Sequence, residues 1–569
     1  MARLMRVPIR ITRFRQVLAS WLLLALLNAP CAESSREKGV AATVHPRATV
    51  AAIEALKEGG NAIDAAVAAA LTLGVVDGHN SGIGGGCFML IRPANGEVVA
   101  IDGREMAPAA AVRDMYLREG KADLALSQTG ALAPGVPGAL AAYDYATTKY
   151  GRLTLARSLR AAAQVAREGF PINRSYASAL KATAEELRKF APSRAIFLDA
   201  DGKPRPAGDI LKQPDLAGTY DSIAQHGIRW FYEGPFAEKT GAWMKENGGI
   251  MTAEDFRRYK VQLRAPVETG YRDCQIYGFP PPSSGGVHVA QILNILENFQ
   301  LEKMDPNSAD FIHLTAEAMK LAFADRAYWL GDPDFARVPT GLVDRGYGAR
   351  LAKRIDLHQA NAVTSHDLPP EAETQYFGKH TTHFSTADAE GNWVACTATI
   401  NTSFGSKVVV PGTGVVLNNQ MDDFSAQPGV ANFFGLVGAE ANAVGPGKRP
   451  LSSMSPTVVV RNGKPILSVG AAGGPTIISQ TLLAILRVVD FGLPLDKALA
   501  QPRFHHQWRP DELRIEKKAG EAVIRELEAR GHKVTRVDNM GVTQAVGKDA
   551  NGRFAGAPDP RGEGQALVW

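Results

Sequence analysis

Between Gly378 and Gly405 the chain reads GKHTTHFSTADAEGNWVACTATINTSFG, and no other stretch restricts the fold so tightly. Two runs rich in β-formers, THFSTADA and WVACTATI, flank the turn-like AEGN, a pattern that predicts an antiparallel hairpin. If the loop is Ala389 to Gly391 with Gly391 left-handed, Asp388 faces Asn392 and Thr381 falls opposite Thr399; a four-residue loop shifts the partner by one position. The three-residue loop sets a second hydroxyl about 5 Å from the first. Asn401, two residues beyond Thr399, shares its face.

A threonine hydroxyl is a poor nucleophile without a base beside it, and no His or Asp stands at triad-like spacing here. One solution is a base carried by the same residue. Cutting the chain between His380 and Thr381 would free an α-amine with an ordinary pKa of about 7.7 to 8.0, which takes a hydroxyl proton at neutral pH. Taken alone, His-Thr-Thr-His reads first as the start of an ordinary strand. The remainder of the chain decides between the two readings.

The 569 residues carry no Pro/Gly/Ser-rich linker or charge run, so they read as one large globular unit after a distinct leader. In that leader Arg3, Arg6, Arg10, Arg13 and Arg15 precede the apolar run Val17 to Leu27, which ends in small residues near Ala32. This is the pattern of a secretory signal, residues 1–32, with an apolar run too short for the roughly 20 residues of a membrane-spanning helix. An uncleaved anchor is the alternative, since Ala29, Pro30, Cys31 and Ala32 make an untidy cleavage site. Removing the five arginines takes the formal charge from +5 to about zero, which gives no reason to expect nucleic acid or an anionic membrane as a partner. Of Cys31, Cys87, Cys274 and Cys396, three survive the leader's removal; so sparse and odd a set is neither a disulfide framework nor a zinc site.

Local signals divide the rest. ATVAAIEALKEGG and NAIDAAVAAALTLGV read as two helices, the first stopped at Gly59 and Gly60, the second capped by Asn61. SGIGGGCFMLIRP is a glycine-rich turn into a strand; its helix-loop-strand order is the reverse of a dinucleotide loop. FMLIRP and EVVAID form a hairpin-like pair ahead of Arg104 in GREMAP. YASALKATAEELRKF and VHVAQILNILENF are spaced as helices, the latter preceded by PPPSSGG, a shaped loop lacking the elbow pattern a serine nucleophile needs at Ser283 or Ser284. Residues 356–379 are polar, hold prolines and lack an apolar period, as expected of a mobile surface segment. KVVVPGTGVVLNN and SPTVVVRNGKPILSVG read as hairpins, the second turning at Asn462-Gly463. PTIISQTLLAILRVV and residues 521–530 return to helix.

Several residues suit acyl transfer. In AAGGPTIISQ, Gly473 and Gly474 stand between a strand end and a helix opened by Pro475, where backbone N–H groups can converge on an anion. Arg104 can grip a carboxylate, and Asp423 in NNQMDDFS can receive an ammonium, with Asp422 the less suited of the two. His505 and His506 are adjacent, which points their rings apart on a strand and makes a shared metal unsuitable.

Beyond these local readings, GGNAIDAAVAAAL, GREMAP, PPPSSGGVHVAQILNILENF, ADRAYWLGDPDF, KHTTHFS, NNQMDDFSAQPGV, RPLSSMSPT, AAGGP and PRFHHQW resemble the corresponding stretches of the γ-glutamyltransferases, over roughly residues 39–567. The resemblance implies an N-terminal nucleophile hydrolase: an α+β, four-layer αββα sandwich built jointly by a large fragment, 33–380, and a small one, 381–569, after self-cleavage between His380 and Thr381. It implies Thr381 as nucleophile, Thr399 as its hydrogen-bond partner, and Gly473 and Gly474 as the oxyanion hole. A γ-glutamyl pocket would use Arg104, Ser452 and Ser453 for the α-carboxylate and Asn401, Gln420 and Asp423 for the amino group. SAQPGVANFFGLVGAEANAVG resembles the family's lid, with Phe434 where relatives often carry a gating tyrosine, which predicts a looser gate. The expected enzyme needs no cofactor or metal, is exported to the periplasm or beyond, and works as a heterodimer of its two fragments. It takes glutathione or another γ-glutamyl donor, with water, an amino acid or a dipeptide as acceptor. A glutaryl or cephalosporin acylase is the neighbouring alternative, disfavoured by Asp423, which would have no ammonium to meet; an exported, inactive binding protein is the other.

Overall fold

The computed structural model describes residues 37–370 and 383–569. Its centre is the hairpin His383–Asp388 and Trp393–Thr399, in which His383 pairs with Thr397 and Ala387 with Trp393. The Asp388 amide donates to the Asn392 carbonyl at 3.1 Å and Gly391 adopts φ 102°, so the loop is the three-residue form. One Asp388 carboxylate oxygen accepts the amides of Glu390, Gly391 and Asn392, which holds that loop shut.

Around the hairpin grows a seven-stranded antiparallel sheet in the order Gln565–Val568, Gly39–Thr43, His383–Asp388, Trp393–Thr399, Gly86–Arg92, Val99–Gly103, Gln262–Arg264. A second, six-stranded sheet runs Phe554–Pro558, Val542–Lys548, Lys464–Ala472, Thr457–Arg461, Cys274–Gly278, Val267–Tyr271, again antiparallel. Asn462 and Gly463, at φ 51° and 73°, make the expected tight turn inside it.

The sheets pack face to face. Phe88, Leu90 and Ala395 of the first meet Phe279, Val458 and Val460, with the rings of Phe88 and Phe279 stacked at 4.2 Å. Beside this apolar patch lies a buried polar seam. His383 is held between Ser385 at 2.8 Å and Thr397 at 3.2 Å, and the Ser385 hydroxyl donates across to the Ser468 carbonyl. Burial pushes His383 down to about 3, so the ring is neutral at any physiological pH. Gly470 makes room for it, since a Cβ there would stand 2.4 Å from the ring.

Helix Ala62–Val76 covers the outer face of the first sheet and is buried along its whole length, which its run of alanines permits. Gly59, at φ 92°, ends the preceding helix Pro46–Lys57. Asn61 then caps the new one, accepting from the amides of Ile63 and Asp64 while Asp64 accepts from Asn61. Asp388 of the hairpin loop also accepts from Ala62, tying the helix N-terminus to the central strands. Helices Ser284–Leu296 and Thr476–Val489 cover the second sheet. The order is therefore helix, sheet, sheet, helix. Both sheets combine strands from before and after residue 381, interleaved in the first and side by side in two blocks in the second, so neither half can complete a sheet alone.

Two expectations need adjusting. KVVVPGTGVVLNN makes a tight turn closed by a single Val409–Val416 bridge rather than a strand pair, its Gly414 pressed against the backbone of Leu216. Residues 356–370 are irregular, but they are stapled down: Lys320 donates to the Asn361 carbonyl, Trp508 to that of Val363 and Trp329 to that of Asp367. No helix among the described residues is long and apolar enough to cross a membrane.

Candidate active site

His380 and Thr381 lie outside the described residues. Strand Trp393–Thr399 ends at Thr399, a buried residue whose hydroxyl accepts the Asn401 amide at 2.7 Å. Beyond it the backbone is forced through unusual conformations: Asn401, Phe404 and Lys407 have φ of 79°, 59° and 67°. Three non-glycine residues held in the left-handed region within seven positions mark a stretch whose shape the surroundings over-determine. Asn401 donates from its side chain to the Asn419 carbonyl, and the Asn419 amide group returns to Thr402.

Gly473 and Gly474, at φ 136° and 60°, form the junction between strand Lys464–Ala472 and the helix that covers the sheet. Their carbonyls are engaged, Gly473 by the Thr476 hydroxyl and Gly474 by the Ile477 amide, while neither N–H has a backbone partner among the described residues. A Cβ on Gly474 would sit 2.6 Å from the Phe434 ring. Thr399, Asn401, Phe434, Gly473 and Gly474 all line one cavity of about 490 Å³.

Next to it, Arg104 and Asp423, 319 residues apart in sequence, form a fully buried ion pair at 2.7 Å. Gln420 donates to the same Asp423 oxygen at 3.1 Å, and Arg104 also reaches the Pro450 carbonyl and, at 3.4 Å, Glu105. Burial pushes the Glu105 carboxyl up to about 8 against the pull of Arg104, so it is largely protonated at neutral pH. Around the pair, Ser452 Oγ and Gln420 Oε1 are buried without a hydrogen-bond partner among the described residues. One donor and one acceptor, each desolvated and unspent, are costly unless a ligand uses them.

Two residues absent from the sequence reading belong here. Arg326, buried, donates to Ser284 at 3.1 Å and lies 3.5 Å from the Ser453 hydroxyl. Glu105 is the other. Each falls in a stretch singled out above, ADRAYW and GREMAP, yet a charged residue in such a run reads as surface until its burial is known. The PPPSSGG loop is structural as expected: Ser283 caps helix Ser284–Leu296 and both serines bind the chain at Ser452 and Met454.

The loop of residues 425–445 separates the ion pair from the cavity. Its Val430, Asn432, Leu436 and Val437 close over Asp423 and Arg326, while Phe433 and Phe434 face the larger cavity. Asp422 anchors the loop by accepting the Phe433 amide and the Ser127 hydroxyl, which leaves Asp423 alone to face Arg104. Phe434 offers Asn401 no hydroxyl, and Asn401 turns to Asn419 instead.

For metals the geometry is discouraging. His505 bonds Ser479 and Gln507 while His506 faces Asp511, so the two rings do diverge. His313, Glu317 and His532 converge within 4.8 Å, but the two rings hydrogen-bond each other at 2.7 Å and the Lys320 ammonium already sits on Glu317 at 2.8 Å. The lysine supplies the cation that this cluster needs. Cys87, Cys274 and Cys396 are buried and unpaired.

Two stacked sheets between helical layers, shared with solved acylases and gamma-glutamyltranspeptidases, define the class of the N-terminal nucleophile hydrolases. A cephalosporin acylase from Bacillus halodurans is similar at TM-score 0.84 and 30% identity, covering 94% of this chain and 96% of that one. The family model for gamma-glutamyltranspeptidase matches residues 48–569, and the chain belongs to that family. The glutathione hydrolase proenzyme of Escherichia coli K12 is 47% identical over 92% of this chain and 90% of its own length. A solved chain of the Helicobacter pylori gamma-glutamyltranspeptidase is 38% identical with TM-score 0.54; it covers 59% of this chain and 94% of itself, and so corresponds to part of this sequence.

Proposed function

We propose that the protein transfers and hydrolyses γ-glutamyl groups, acting on glutathione and related γ-glutamyl compounds after cutting itself between His380 and Thr381. Residues 33–380 and 381–569 then form the two fragments of a heterodimer, which the shared sheets would hold together without a peptide bond. Residues 1–32 direct export. The observation that carries the reading is the buried Arg104–Asp423 pair flanked by the unspent Ser452 hydroxyl and Gln420 carbonyl. Without a ligand these charges satisfy each other. A free amino-acid head, with one carboxylate and one ammonium, can take their place with each charge meeting its opposite.

The mechanism follows from position. Continued by two residues, the register that pairs His383 with Thr397 would carry Thr381 opposite Thr399. Its own α-amine removes the hydroxyl proton, and the oxygen attacks the γ-carbonyl. The N–H groups of Gly473 and Gly474 face the developing oxyanion, each worth about 2.7 to 4 kcal/mol by the measure of other oxyanion holes. Collapse expels the amine, which takes a proton from the Thr381 ammonium, and leaves a γ-glutamyl ester. Water then gives glutamate, or an acceptor amine takes the group. Arg104, Ser452 and Ser453 hold the α-carboxylate throughout, and Asn401, Gln420 and Asp423 the ammonium, beneath the 425–445 loop as lid.

A cephalosporin acylase shares the fold, and an acylase proenzyme from Pseudomonas is 36% identical, so acyl groups lacking the ammonium are the second reading. Asp423 speaks for the first, because an ammonium-free substrate would leave a buried carboxylate facing nothing new. The test is release of p-nitroaniline from γ-glutamyl-p-nitroanilide, with and without a dipeptide acceptor, by the wild type and Thr381→Ala. Two bands with Thr381 leading the smaller, and activity lost together with cleavage in the variant, are expected; full activity from an unbroken chain would sink the proposal.

A further inference from the structure

One charged group in the larger cavity has no part in the chemistry described above. Lys407 lines that cavity together with Thr399, Asn401, Gly473 and Gly474, yet it is 7% exposed and sits at φ 67°, a conformation L side chains avoid. Its ammonium donates to two neutral oxygens, the Gly405 carbonyl at 2.7 Å and the Thr402 hydroxyl at 3.1 Å. An ammonium has three donors, so one remains. Among the described residues no carboxylate lies within ion-pair distance of it; Glu186, on the cavity wall, and Asp422, behind the loop, are the acids whose field reaches it. A desolvated cation with neutral partners only is expensive to keep, and the ligand that repays it is an anion.

The anchoring connects it to the donor pocket. Thr402, which accepts from Lys407, also accepts from the Asn419 side chain, and the Asn419 carbonyl accepts from Asn401. The cation is thus fixed relative to Asn401 through two residues. It stands on the cavity side of the 425–445 loop, away from the Arg104–Asp423 pair. The γ-glutamyl head lies beneath the loop, so what extends into the cavity is the other side of the scissile bond: the departing amine of the donor, and later the entering acceptor.

Building on the γ-glutamyl reading, we propose that Lys407 is a specificity residue that binds the carboxylate of the leaving group and of the acceptor, selecting peptides and amino acids with a free carboxyl end over neutral amines. Glutathione, which departs as a cysteinyl-glycine dipeptide, presents such a carboxylate; a p-nitroanilide does not. Glu186 on the same wall repels an anion that approaches elsewhere, which narrows the landing place to Lys407.

The test compares kcat/KM for glutathione with that for γ-glutamyl-p-nitroanilide in the wild type, Lys407→Met and Lys407→Arg, and transfer to glycylglycine with transfer to glycylglycinamide. The ratio favouring glutathione should fall about tenfold in Lys407→Met and recover in Lys407→Arg, and the preference for glycylglycine over its amide should fall alongside. An unchanged ratio would overturn the proposal. So would a wild type indifferent to the acceptor's carboxylate, a result that needs no variant to fold. A wild type inert toward both donors would instead overturn the γ-glutamyl reading, and this inference with it.

Discussion

Replacing Asp423 with asparagine separates a γ-glutamyl pocket from an acylase pocket in one experiment. The carboxylate accepts from Arg104 at 2.7 Å and from Gln420 at 3.1 Å, and asparagine keeps its shape and one acceptor oxygen but not its charge. A hydrogen bond to a charged group contributes about 1.5 to 3 kcal/mol, and with the ammonium charged in both proteins the asparagine oxygen takes the lower end of that range and the carboxylate the upper. The substrate ammonium therefore loses about 1 to 1.5 kcal/mol, which at about 1.4 kcal/mol per decade is a 5- to 12-fold fall in kcat/KM for γ-glutamyl-p-nitroanilide. Glutaryl-p-nitroanilide, identical but for the missing ammonium, should lose nothing and can gain, because the uncompensated carboxylate is gone. The readout is the ratio of the two rates, which cancels any loss of active protein. Should both substrates slow by the same factor, Asp423 merely props up Arg104 and the ammonium argument collapses.

Gly474→Ala places a methyl 2.6 Å from the Phe434 ring at φ 60°, costing about 1 to 2 kcal/mol in backbone strain alone and shifting the N–H proposed as an oxyanion donor; kcat for the anilide should drop at least tenfold with the proteolytic fragments still formed on a gel. Phe434→Tyr restores a hydroxyl near Asn401, and the ratio of transfer to hydrolysis, measured with glycylglycine, should change; no change would remove the lid from the account. The pH dependence of stability should carry the mark of Glu105. Its carboxyl stays protonated in the fold up to about 8, whereas the unfolded chain releases that proton above about 4.5, so stability falls as pH rises through this window. The neutral His45, His79, His383, His505 and His532 act in the opposite sense, since each takes a proton near 6.5 only when unfolded, so the Glu105 contribution is isolated by comparing the wild type with Glu105→Gln. Raising the pH from 6.5 to 8 should therefore cost the wild type up to about 2 kcal/mol more stability than it costs Glu105→Gln, read as a difference between the shifts of their melting temperatures.

What could be read without coordinates was local. The hairpin loop around Ala389–Gly391, the cap at Asn61 and the turn at Asn462-Gly463 each depend on a few consecutive side chains, so the hairpin follows from the sequence by itself, while the choice between a three- and a four-residue loop, and with it the register, came with the structure. The layered sandwich was expected by likeness to a family, since periodicity tells that strands exist but not which strands from distant parts of the chain share a sheet. Tertiary structure alone decided the electrostatics. Arg104 finds Asp423 across 319 residues, and Arg326, Glu105 and Lys407 pass for solvated charges in the sequence until packing strips their water away. Even the stretch before residue 371, polar enough to suggest freedom, is pinned by tryptophans and a lysine from elsewhere. Turn chemistry is written in neighbours, whereas desolvation is set by whatever the completed fold brings alongside, and that is why the site's charges emerge only with the fold.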